Sequence, residues 1–128
     1  MKKIFTLLII IGIGLILESC YYDKYPVVDP SSADEVFFAT DIQPIFDSNC
    51  IVCHNGSLNP DLREGNSYNA LMSLPAGAIV PGDSAGSELM DMLNHDPAAD
   101  NPMPPGSPLS KVKIALFSNW IDQGAKNN

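Results

Sequence analysis

A chain of 128 residues, 45% hydrophobic and with a formal net charge of −8, has room for one domain with a modest core. Fifteen acidic against seven basic residues argue against charge-driven binding to nucleic acid or anionic headgroups; they suit solubility or a positively charged docking partner. Three cysteines, an odd count, argue against a disulfide framework.

Residues 1–19 read as an export signal. Lys2 and Lys3 provide a positive start, and Ile4 to Leu17 is an almost unbroken apolar run, short for a bilayer span but suited to a signal-peptide core. Leu17-Glu18-Ser19-Cys20 resembles a bacterial lipobox, in which Cys20 is lipidated and becomes the first mature residue; Glu18 departs from the small or apolar residue usual there. The alternative is an ordinary signal peptide or an uncleaved anchor, with Cys20 incidental. Loss of residues 1–19 leaves five basic and 14 acidic residues, a net charge of −9. Residues 20–34 hold Pro26 and Pro30 and show no helical period, which predicts a flexible tether from Cys20. Tyr21, Tyr22 and Tyr25 in it are either interfacial anchors or plain tether residues.

The folded-domain candidate spans 35–128. Thr40-Asp41-Ile42-Gln43 fits a capping box, with Pro44 in the first helical turn and Ile42, Ile45, Phe46 and Asn49 in helical spacing. That helix is expected to run into Cys50-Ile51-Val52-Cys53-His54 and to stop at Asn55-Gly56. C-x-x-C-H is the attachment signature of c-type haem. On a helix, Cys50 and Cys53 share a face, so each can add to one vinyl group, while His54 lies near the same face and can ligate the iron.

Further helices are expected over Tyr68–Leu74, capped by Ser67, and from about Ala85 to Asn94 with the stripe Leu89, Met92 and Leu93. Ala76–Pro81 reads as an extended crossing, and His95–Pro108 as a proline-rich loop. A last helix runs from its cap Ser110 to Gln123 and is stopped by Gly124, with Lys126 near its negative end. Ile114, Phe117 and Ile121 form its stripe, flanked by Leu116 and Trp120. With no strand pattern, the fold class is all-α.

This order of features resembles a class I cytochrome c, more narrowly the planctomycete-type cytochrome c domain. The resemblance rests on Ile42-Gln43-Pro44-Ile45-Phe46 before Cys50-x-x-Cys53-His54, Ile79 to Ser84 before Ser87-Glu88-Leu89, Met103-Pro104-Pro105, and the closing Trp120 to Ala125. It covers about Val36 to Ala125. It implies a small cytochrome c-like helical domain wrapped round one covalently attached haem.

Cys50 and Cys53 are then the thioether anchors and His54 the proximal iron ligand. A zinc site from Cys50, Cys53, His54 and His95 suffers from the adjacency of Cys53 and His54, and a redox pair lacks its βαβ setting. For the distal ligand, Met103 in Asn-Pro-Met-Pro-Pro sits in a stiff, non-helical segment and is also the residue the resemblance indicates. His95 and an open site are the alternatives; Met72, Met90 and Met92 read as helix packing. Phe46, Tyr68, Phe117 and Trp120 are core or haem-wall candidates, and Arg63 is either a propionate partner or a lone surface charge.

The expected function is a membrane-tethered, one-electron carrier between exported redox proteins, lipid-anchored on the periplasmic side of a membrane, rather than an enzyme. The alternatives are a haem enzyme or sensor with an open sixth position, and a haem-free lipoprotein with an oxidised Cys50–Cys53 pair.

Overall fold

In the computed structural model, residues 34–128 are described; the expected export signal, Cys20 and all of the expected tether but Asp34 lie outside them. Among the described residues, four α-helices follow a wide turn: the π-helical turn Phe38–Ile42, then α1 (Gln43–Asn49), α2 (Ser67–Met72), α3 (Glu88–Asn94) and α4 (Lys111–Asp122). Among the described residues there is no strand, so the all-α expectation holds at that level. None of these helices is long and apolar enough to cross a membrane.

Helix α4 organises the core. Its Phe117, Trp120 and Ile121 are fully buried, while Ile114 and Leu116 are only partly covered, so Trp120 takes the place in the buried stripe that the periodicity gave to Ile114. Ser110 accepts a hydrogen bond from the Lys113 N–H at 3.4 Å and caps the helix start. At the other end, the amides of Gly124 and Ala125 donate to the carbonyls of Ile121 and Trp120, a Schellman closure made possible by Gly124 at φ 100°.

Against α4 lies an aromatic knot. Phe46 meets Phe117 at a centroid separation of 5.3 Å, and Phe38 contacts Trp120 and Tyr68, each at 5.3 Å. The Tyr68 hydroxyl donates to the Ala125 carbonyl, and the Trp120 indole N–H to the Lys126 carbonyl, so the half-buried tyrosine and the buried tryptophan both have their polar ends satisfied. Phe46, Tyr68, Phe117 and Trp120 thus tie α1 and α2 to α4.

The capping box does not form. No side-chain bond caps α1; the Phe37 amide is satisfied by Asp41 Oδ2 at 2.8 Å, and the Phe38 and Ala39 amides donate to Asn128. Gln43, 5% exposed, instead turns inward, donating to Asp47 and to the Leu62 carbonyl and accepting from Ser67 Oγ. Ser67 is consequently the first residue of α2 and a buried partner of Gln43, not its cap. Helix α3 starts at Glu88, later than Ala85, because the Asp83 carboxylate and the Ser84 carbonyl hold the Gly86 and Ser87 amides in a preceding turn. Its first amides donate to the Gly77 and Ala78 carbonyls, so the crossing expected to be extended consists of turns and bends that support α3. Met90 and Leu93 form the buried face of α3, with Leu89 and Met92 at its margins.

Candidate functional site

Helix α1 ends one residue before the first cysteine. Cys50 has φ −121° and ψ −36°, off helical values, and the C-x-x-C-H residues lie in turns rather than on the expected continuous helix. The turn nonetheless gathers them: the Cys53 and His54 amides both donate to the Cys50 carbonyl, at 3.1 and 2.9 Å. Cys50 and Cys53 are free thiols. Cys50 packs partly against the core, whereas Cys53 and Val52 (82% exposed) face solvent. Burial pushes the Cys50 thiol up to about 11; Lys113 opposes the rise and the Cys53 thiol adds to it.

His54 is half-buried and fixed at two points. Its carbonyl accepts from the Leu62 amide at 2.9 Å, and its ring Nδ1 lies 3.1 Å from the Pro60 carbonyl. A carbonyl oxygen can only accept, so Nδ1 carries the proton of the neutral ring and Nε2 keeps its lone pair. A metal-binding imidazole characteristically has its other nitrogen engaged in this way. The donor set of two free thiols and one tautomer-fixed imidazole, all on one turn, fits covalent haem with a proximal nitrogen ligand.

Met103 lies in a separate loop. It is half-buried, its amide donates to the Met92 carbonyl at 2.9 Å, and His95 Nε2 donates to the Pro104 carbonyl at 3.1 Å. His95, in the left-handed conformation at the end of α3, therefore pins the methionine loop through this bond. Among the described residues, no hydrogen bond joins this loop to the Cys50–His54 turn. Nor do three or more His, Cys, Asp or Glu side chains come together there in a metal-holding group, so the four-residue zinc arrangement does not assemble.

Arg63 is neither lone nor free. Its guanidinium donates to both Asp61 carboxylate oxygens, from Nε at 2.9 Å and Nη2 at 2.7 Å, which holds the Asp61 carboxyl well below the usual range. The sequence held a cue, an oppositely charged residue two positions away beside a proline turn. Pro60 offered no such cue, since its role is carried by a backbone carbonyl. A cleft of about 170 Å³ between Gln43, Tyr68 and Asn69 contains none of the Cys50–His54 residues and falls below the size of ordinary small-molecule sites, about 300 Å³ and upward.

Compared with known proteins, the chain matches no family model, no curated protein and no solved structure.

Proposed function

We propose that this chain is a monohaem c-type cytochrome that carries one electron at a time between exported redox partners while tethered to a membrane through Cys20. The observation that carries the reading is the His54 ring, locked by Pro60 in the tautomer that leaves Nε2 open, on the same turn as two free thiols. Cys50 and Cys53 would hold the haem through thioethers, His54 would ligate its iron, and Met103 is the proposed second axial ligand.

Haem so held supplies a one-electron ferric–ferrous couple. The polypeptide contributes position, coordination and exclusion of water. The rigid prolines around Met103, together with its pin to α3, limit how far the thioether can withdraw. A thioether ligand favours reduced iron and closes the position to substrates. Ile51, Ile79, Leu89, Ile114 and Leu116 are packed against the core with one side open, and are available to shield an apolar ring from water. The net charge of −8 favours donors and acceptors that present a basic docking face. The apolar run of residues 4–17 before Cys20 supports export and lipid anchorage on the periplasmic side.

Carbon monoxide added to the reduced protein tests the assignment. The wild type should bind it slowly or not at all, and Met103→Ala should gain rapid binding. Rapid binding by the wild type would contradict the carrier and indicate an enzyme or sensor with an open site.

A further inference from the structure

The lock on His54 depends on a strap, Pro60–Leu62, that is itself held from two sides. On the inner side Leu62 is buried at 5% exposure, and its carbonyl accepts from Gln43 Nε2 at 3.1 Å. Gln43 is in turn fixed by Ser67 and Asp47. On the outer side the Asp61 carboxylate accepts four hydrogen bonds: from the Arg63 amide at 3.2 Å, Arg63 Nε at 2.9 Å, Arg63 Nη2 at 2.7 Å and Asn66 Nδ2 at 2.9 Å.

The Arg63 guanidinium lies across Gly56, two residues beyond His54. A Cβ at Gly56 would come within 2.7 Å of Nη2. The outer fork therefore closes over the same turn whose ring the strap restrains. A buried glutamine and serine cost desolvation that an apolar pair would avoid, and what they provide in exchange is direction: their hydrogen bonds fix the Leu62 carbonyl.

We infer that Asp61 and Gln43 are positioning residues for His54, acting through the Pro60–Leu62 backbone to keep the Pro60 carbonyl on Nδ1. The inference rests on the proposed haem ligation by His54. Its chemistry is direct: an Nδ1–H donating to a carbonyl makes Nε2 a stronger donor, which favours ferric iron. Loosening the strap weakens that donor and moves the couple toward ferrous iron.

The test uses the exported, full-length, haem-loaded protein with Asp61→Ala, Asp61→Asn and Gln43→Leu. Asp61→Ala and Asp61→Asn remove the same charge, but only the asparagine keeps an acceptor oxygen for Arg63 and Asn66. Asp61→Ala should shift the ferric–ferrous balance toward ferrous by about tenfold relative to Asp61→Asn, the lower end of second-shell effects on metal sites. For one electron that is about 59 mV. The His54 ring proton, followed by NMR in the reduced protein, should exchange with deuterium faster in Asp61→Ala and Gln43→Leu than in wild type or Asp61→Asn. Equal potentials for the two Asp61 variants, with unchanged ring-proton exchange in all three, would overturn the inference and leave the cytochrome reading intact. A wild-type chain without covalent haem would overturn both.

Discussion

Two parts of this molecule are held together by different forces. The aromatic knot of Phe38, Phe46, Tyr68, Phe117 and Trp120 is closed by apolar burial, and its polar atoms serve only to finish the helix ends. The Cys50–Asn66 segment has one buried apolar anchor, Leu62, and is shaped by hydrogen bonds that Pro60 and Asp61 accept and that Arg63 and Gln43 donate. Burial is tolerant of orientation, whereas hydrogen bonds fix distance and direction. The knot can therefore supply stability while the polar segment sets the ring of one histidine.

Substitutions that separate the two parts sharpen the contrast. Trp120→Ala should cost about 3–5 kcal/mol in denaturant unfolding, since the ring is wholly buried. If the knot serves only stability, the variant that still folds should keep the wild-type reduction potential. Ser67→Ala leaves the buried Gln43 oxygen without its donor and should cost about 1–3 kcal/mol. This variant spans both regions, so it should also speed exchange of the His54 ring proton. Gly124→Ala should lower stability by about 1 kcal/mol, because alanine resists φ 100°, without any spectral change.

The smallest effect is expected from pH, in the haem-free chain. The Cys50 thiol has its pKa raised from 9.0 to about 11, so above pH 9 the unfolded chain releases a proton that the folded one retains. Stability should thus be unaffected below about pH 9 and decline as pH rises toward 11. The loss is limited because the side chain is only partly buried. Thioether formation should abolish it, which urea unfolding at pH 8 and pH 11 would show.

Local signals and distant ones were not equally legible. Ser110 and Gly124 bracket α4 in the structure as in the sequence, because capping and Schellman closure use atoms within a few residues. The irregular Met103 loop was legible for the same reason. Gln43 misleads because its partners, Leu62 and Ser67, lie 19 and 24 positions away and outcompete the local capping box. The extent of α1 was overread too: helical spacing continued on paper through Cys53, but the chain leaves helical geometry at Cys50. The Pro104 carbonyl that engages His95 was hidden too, because a backbone acceptor leaves no mark in the sequence.

The central claim is covalent haem on the Cys50–His54 turn, and the most direct test is the mass of that stretch. The full chain, exported from a strain able to attach haem, should yield on digestion a single peptide containing Cys50, Cys53 and His54 that is heavier by one haem. A peptide of unmodified mass, or one lighter by the two hydrogens of a Cys50–Cys53 disulfide, would contradict the account.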